Sequence, residues 1–276
     1  MQSFAGRVAV ITGGASGIGL GMARALAARD MKLVIGDLDD DAMTAAHKEF
    51  SDKGIEVVTQ KCDVSSLDAV QALADTTMER FGGVHVMCNN AGVGIPTSAR
   101  NMKLQDWKWI IDVDLWGPIY GVNVFVPLLE EQDEAHINAT SSMAGLISSG
   151  MMGAYNVAKH GVVALMAALE RELRAKKSNV HASVLCPGPI NTNISRHSVE
   201  YRPNRSKPKA DGENQGKMAK GIQESLEQEM QPDEVGELVA NAIADDKFWI
   251  LTHPWWAKGV QKQLDALMDD QSLTKA

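Results

Sequence analysis

The sequence predicts an α/β fold, a doubly wound parallel sheet with helices on both faces, and three observations carry that expectation. Short β-branched runs recur along the chain, helix-length patterns separate them, and a glycine-rich turn follows the first run directly. Strands joined through helices pair in parallel, because a parallel neighbour needs a crossover rather than a hairpin.

Residues 7–11, 32–36, 56–61, 84–88, 135–140 and 179–185 read as strands. The helical pattern after the first of them runs from the glycine turn to about Arg29. Asp39, Asp40 and Asp41 open the next, which ends near Lys53 and Gly54, as acidic residues suit the positive end of a helix dipole. Between about residues 195 and 220 the string YRPNRSKPKADGENQGK is polar and rich in turn formers. It reads as a solvated loop or as a segment over a binding site. Beyond it, 231–245 reads as a Pro-initiated helix, 248–251 as a last strand and 254–269 as a terminal helix. Strand and helix units in series favour one domain over 1–276, with 194–231 a substrate-loop segment and 254–276 a C-terminal extension.

The composition, 45% hydrophobic and 22% charged, is that of a packed globular protein. A net charge of −8 argues against a nucleic-acid or anionic-membrane partner. Cys62, Cys88 and Cys186 stand singly, so neither a disulfide framework nor a zinc site is expected, and they read as buried hydrophobes in a reducing compartment. With no signal-peptide pattern at its start and no apolar run near ~20 residues, the chain is expected in the cytoplasm.

The turn TGGASGIG spans residues 12–19. Glycines at 13, 17 and 19 permit a tight turn and close backbone approach to a diphosphate, whose charge meets unpaired N–H groups at a helix start. The spacing is neither the common G-x-G-x-x-G fingerprint nor a P-loop. Asp37 ends the second strand 18 residues past Gly19, near the roughly 20 expected of a carboxylate that accepts from an adenosine ribose. It would repel a 2′-phosphate, and Leu38, Asp39 and Asp40 offer no compensating cation, so NAD is preferred over NADP.

Tyr155 and Lys159 stand four apart in the helical string GAYNVAKHGVVALMAAL and share one face. A neighbouring ammonium stabilises a phenolate. Moving a Tyr pKa from ~10 toward ~7 takes about 4 kcal/mol, within reach of a Lys and an oxidised nicotinamide in a dry site. Ser142 lies just past the fifth strand, where carboxyl ends of parallel strands form a ligand crevice.

Taken together, TGGASGIG, Asp37, CDV at 62–64, NNAG at 89–92, SS at 141–142, YNVAK at 155–159 and PGPINT at 187–192 resemble the classical short-chain dehydrogenase/reductase family. The resemblance implies a single Rossmann-like domain with a central seven-stranded parallel sheet, a nicotinamide cofactor, hydride transfer at its B face, and a homotetramer or homodimer. It implies that Ser142 binds the substrate oxygen, that Tyr155 exchanges the proton, and that Lys159 binds the nicotinamide ribose while lowering the Tyr155 pKa. Gly13, Ser16, Gly17, Ile18 and Gly19 would hold the diphosphate, and Asp63 and Val64 the adenine. Asn90, Ala91 and Gly92 would line the cofactor, and Pro187, Gly188, Ile190 and Thr192 would meet the nicotinamide end.

One position departs from the family pattern. Where relatives usually carry Asn in a string like VNLWG, this chain reads DVDLWG, with Asp114 in that place. If the family Asn acts through its backbone carbonyl, a water relay from the Lys survives; if its amide donates, a carboxylate cannot replace it. Asp114 is expected to preserve activity and to raise the affinity of Lys159 for its proton.

The histidines lack metal-ligand spacing, so no metal is expected. Trp107, Trp109 and Trp116 read as core or subunit-contact residues, and Trp255 and Trp256 as interface residues or pocket walls. Met143, Leu146, Ile147, Met151, Met152 and the 194–220 segment are expected to wall a pocket for a substrate with an apolar body. The function that follows is NAD-dependent interconversion of a secondary alcohol and a ketone. Its alternative is a catalytically impaired dinucleotide-binding regulator of the same fold, which rests on Asp114; an epimerase or dehydratase is disfavoured by the glycine spacing.

Overall fold

Along β1 (Val8–Thr12) the side chains alternate across the sheet: Val8 and Val10 enter the core of one face, Ala9 and Ile11 that of the other. A strand buried on both faces reads as an unbroken apolar run, which is why VAVIT shows no polar alternation. The computed structural model describes residues 1–203 and 229–269. Residues 204–228 of the turn-rich segment and 270–276 of the C-terminal extension lie outside the described residues.

The elements follow in the expected alternation: α1 (Gly17–Ala27), β2 (Lys32–Asp37), α2 (Asp40–Ser51), β3 (Val57–Lys61), α3 (Leu67–Phe81), β4 (Val86–Asn89), α4 (Leu104–Ile111), α5 (Gly117–Glu130) and β5 (Ala135–Thr140). Then come α6 (Gly153–Ala175), β6 (Val180–Cys186), α7 (Ile194–Tyr201), α8 (Pro232–Ala244), β7 (Trp249–Leu251) and α9 (Ala257–Asp269). Asp39 caps α2 by accepting the Ala42 N–H at 2.9 Å, and Gly82 ends α3 at φ 72°. Among the described residues no helix is long and apolar enough to cross a membrane.

All seven strands are parallel, in the order β3-β2-β1-β4-β5-β6-β7, a Rossmann-like sheet with helices on both faces. The chain winds outward from β1 to β3, then returns to place β4 on the other side of β1. The crevice at the carboxyl ends of β1 and β4 is therefore the topological switch point, where open α/β sheets bind ligands.

Two features were not anticipated. Between α4 and α5 the residues Asp112–Trp116 form a wide π turn rather than continuous α-helix. Pro118 carries no N–H, so the Asp114 carbonyl receives no bond from the residue four ahead, and the chain widens there. The second feature is a backbone-to-backbone crossing of α1 and α8. A Cβ on Gly21 would overlap the Pro232 carbonyl, and one on Gly236 the Gly21 carbonyl. Backbone cannot yield as a side chain can, so Gly21→Ala is expected to destabilise by roughly 1–3 kcal/mol. Thermal unfolding checks it, with a fall of about 2–4 °C in Tm per kcal/mol.

Candidate active site

The crevice is a cleft of about 680 Å³ whose wall includes Gly13, Ser16, Gly17 and Ile18. Gly13 at φ 61° and Gly17 at φ 49° hold left-handed conformations that turn β1 into α1. Ser16 occupies the N-cap without a side-chain cap bond, and the first turn of α1 has no acidic residue, so the positive helix end faces the cleft. Gly19 gives the turn its room: a Cβ there would overlap the Gly13 carbonyl and crowd Asn90.

Thr12 and Asn90 tie the loop in place. The Thr12 hydroxyl accepts the N–H groups of Asn90 at 3.0 Å and Ala91 at 3.3 Å. The Asn90 amide donates to the carbonyls of Thr12 and Gly13 and accepts from Thr140 Oγ1 at 3.1 Å. Asn90 thus braces three strand ends as well as lining the cleft with Ala91 and Gly92. Thr12 escaped the sequence analysis, because a strand-terminal threonine is ordinary until its partners are known.

At one end of the cleft stands Asp37, whose Oδ2 accepts the Ala15 N–H at 3.0 Å and whose Oδ1 accepts those of Leu38 at 2.7 Å and Asp39 at 3.2 Å. Asp63 and Val64 share that wall, and the Asp63 carboxylate accepts from the Ser65 N–H and hydroxyl. Cys62, beside them, is held protonated by burial, its pKa pushed up to about 11. Tyr201 of α7 lines the cleft close enough to Asp39, Asp37 and Asp40 to feel their charge; burial first, and those carboxylates next, raise its pKa.

Ser142, Tyr155 and Lys159 converge on the same wall. Ser142 follows β5 and caps a short turn, accepting the Ala144 N–H at 3.1 Å. Lys159 is buried, donates to the Thr140 carbonyl at 3.1 Å, and sits 5.4 Å from the Tyr155 ring centroid. Asp114, fully buried, places Oδ2 3.2 Å from the Lys159 ammonium and accepts the Val93 N–H on Oδ1 at 2.8 Å. Gly92 and Gly94 make room for this group. A Cβ at Gly92 would lie 3.3 Å from Lys159 Nζ, and one at Gly94 would lie 3.3 Å from the Tyr155 ring.

Electrostatics at Tyr155 combine opposing effects in the cofactor-free site. Burial raises the phenol pKa most; Lys159 and the Ser142 hydroxyl pull it down, while Asp114 pushes it up, and the net direction is upward. Burial acts to lower Lys159, but the Asp114 carboxylate overrides it and Lys159 is raised, as expected. Burial raises Asp114 itself, against Lys159 and the Val93 N–H. Cys186 is pushed up to about 12 by burial and stays a neutral thiol.

The segment after β6 brings Pro187, Gly188, Ile190 and Thr192 to the wall. Gly188 donates to Thr252 Oγ1 at 3.0 Å, and the His253 ring fills the space where its Cβ would be. The start of α7 then lies across the cleft. Ser198 Oγ accepts the Gly94 N–H at 2.8 Å, and Arg202 makes a forked pair with the buried carboxylate of Asp106, Nε to Oδ1 at 2.7 Å.

The expected apolar wall needs correction. Met143, Leu146, Ile147, Met151 and Met152 do not line the cleft. Met143 is in the core, Ile147 is covered by α9 at Gly259, and Met151 faces solvent. Val93, Val113, Ile194 and Trp109 form the apolar surface instead. Trp109 is thus a wall residue, whereas Trp107 packs on Gly153 and Trp116 is exposed. Trp255 and Trp256 stand off the wall, Trp255 edge to the His253 ring and Trp256 tilted against it. Among the described residues no cluster of three or more potential metal ligands exists.

A seven-stranded parallel sheet with a glycine turn at its switch point and a hydroxyl, phenol and ammonium on one wall defines an α/β oxidoreductase. Comparison with known proteins agrees: the short chain dehydrogenase family matches residues 7–202. The chain belongs to the short-chain dehydrogenase/reductase family. It is similar to a short-chain dehydrogenase/reductase from Burkholderia phymatum solved in complex with NAD, at 36% identity and a TM-score of 0.93, covering 100% of this chain and 99% of that one. A CLA biosynthesis dehydrogenase/reductase of Lactiplantibacillus plantarum is 29% identical, over 98% of this chain and 96% of the relative. The 1-deoxy-11-beta-hydroxypentalenate dehydrogenase of Streptomyces avermitilis is 31% identical, over 89% and 84%.

Proposed function

We propose that this oxidoreductase interconverts a secondary alcohol and a ketone with a nicotinamide dinucleotide, NAD in preference to NADP, and that Tyr155 is its general acid and base. The observation that carries the proposal is the convergence of Ser142, Tyr155 and Lys159 on a cleft whose wall also holds the α1 N-terminus and Asp37. The donor set suits the cofactor: N–H groups and glycines without Cβ for a diphosphate, a carboxylate for ribose hydroxyls. The B. phymatum neighbour's complex with NAD supports the same choice.

In this reading Gly13, Ser16, Gly17 and Ile18 hold the diphosphate, Asp37 the adenosine ribose, and Asp63 and Val64 the adenine. Asn90, Ala91 and Gly92 flank the cofactor, and Pro187, Gly188, Ile190 and Thr192 orient its carboxamide. The bound nicotinamide supplies hydride chemistry, and the protein supplies position and charge. Ser142 orients the substrate oxygen, Tyr155 gives or takes its proton, Lys159 anchors the nicotinamide ribose, and Asp114 holds Lys159. Val93, Ile194 and Trp109 suit a substrate with an apolar body. The reading extends to a cytoplasmic homotetramer or homodimer, for which exposed Trp116, Val157 and Trp249 supply apolar surface.

A panel of secondary alcohols and ketones, followed by reduced-cofactor absorbance with NAD and NADP in parallel, tests this. Turnover with NAD exceeding that with NADP is expected. Tight NAD binding with no turnover across the panel would favour the regulator instead, the reading to which the buried Asp114 lends its support.

A further inference from the structure

The charge balance around Tyr155 bears on the pH at which the site works. Lys159 is within 5.4 Å of the phenol ring, near enough for a bare ammonium to favour phenolate by one to a few pH units. This ammonium is not bare. Asp114 Oδ2 faces it at 3.2 Å in a fully buried position, while Oδ1 is fixed by the Val93 N–H. A carboxylate and an ammonium that share one proton carry no net charge, whichever of them holds it.

The other groups around the phenol do not restore a positive field. On α6 the flanking groups are Lys159 and the neutral Asn156. From the end of β5 come the Thr140 carbonyl and the Ser141 and Ser142 hydroxyls, of which Ser141 donates to the Lys159 carbonyl. β6 brings the neutral Cys186 thiol, and the segment after β4 brings Gly92, Val93 and Gly94, which have no ionisable side chain. Farther along the cleft, Lys108 is paired with Asp112, and α7 contributes His197. Among the described residues the charges acting on Tyr155 are Lys159, favouring phenolate, and Asp114, opposing it.

We propose that Asp114 is the counter-ion that keeps Tyr155 a phenol at neutral pH in the cofactor-free site, so that alcohol oxidation, which needs the phenolate, gains as pH rises. In reduction the Tyr155 O–H bond breaks and its proton passes to the carbonyl oxygen. The carbonyl carbon takes a hydride from reduced nicotinamide dinucleotide, leaving alcohol, phenolate and oxidised dinucleotide, and the phenolate regains a proton from solvent. Oxidation runs the reverse and needs the phenolate at the outset. Asp114 acts through Lys159 and is a positioning residue. The kinetic part rests on the function proposed above; the charge balance does not.

The test compares wild type, Asp114→Asn and Tyr155→Phe. The chain has three tyrosines, so ζ-13C-tyrosine labelling gives three ring signals to titrate by NMR, and Tyr155→Phe assigns one of them. In wild type the Tyr155 signal should titrate at or above the free-tyrosine value of about 10. In Asp114→Asn it should titrate lower by at least about one pH unit. The rising limb of kcat/KM for alcohol oxidation should move down by the same interval. An unmoved titration, or an oxidation limb that stays in place, overturns the proposal. Should Asp114→Asn fail to fold, a wild-type Tyr155 titrating below about 8 overturns it alone. Because the NMR titration needs neither cofactor nor substrate, loss of the proposed function (turnover surviving in Tyr155→Phe) is read separately.

Discussion

Tyr155→Phe is expected to lower kcat by 10²–10⁴-fold, the usual contribution of a positioned general acid or base, with little change in affinity for NAD. The ring packs beside Gly94 and needs no hydroxyl to keep its place, so Phe removes the transferable proton and leaves the wall intact. Ser142 and Lys159 remain. Neither replaces the lost group: Lys159 is committed to the Thr140 carbonyl and Asp114, and Ser142 accepts the Ala144 N–H. Single-turnover kinetics beside calorimetric NAD binding distinguish a chemical defect from a binding one. Retention of more than about a tenth of wild-type turnover would remove Tyr155 from the mechanism, since one missing proton transfer at that barrier exceeds ~1.4 kcal/mol.

The second large effect is expected at Asp37. Replacing it with Ala and Leu38 with Arg should lower the NAD-to-NADP ratio of kcat/KM by at least tenfold, because one charged hydrogen bond to ribose, about 1.5–3 kcal/mol, is lost and a 2′-phosphate gains a cation. Asp37 also accepts three backbone N–H groups in the glycine turn and its own strand end. The substitution will loosen that turn and slow the enzyme with both cofactors. The ratio, unlike either rate, cancels this common loss. A wild-type enzyme that already favours NADP would overturn the assignment.

Much of the fold was legible before any coordinates. Fully apolar strands such as VAVIT have no reading in a half-solvated sheet, and the helical stretches between them require parallel pairing. The second strand ends at Asp37, and Asp39 begins the next helix as its cap, because these depend on near neighbours in sequence. Tyr155 and Lys159 were readable for the same reason, as four residues in a helix make one turn. What the sequence did not show shares a cause as well. That Gly13 and Asn90 occupy the space at the Gly19 Cα is visible only in the fold. The apolar residues after Ser142 looked like a pocket wall until α9 was seen to cover Ile147 and solvent to take Met151.

Local pattern in the chain was enough for the parallel α/β architecture, the glycine turn, Asp37 and the phenol–ammonium pair, since each depends on periodicity or on spacing along one element. The folded chain was needed for what spans elements: Arg202 on Asp106, Ser198 on the Gly94 N–H, and above all Asp114 against Lys159. Coulombic attraction and burial depend on distance through space. Only when the π turn carries Asp114 beneath Gly92 does its carboxylate become the counter-charge of the Lys159 ammonium.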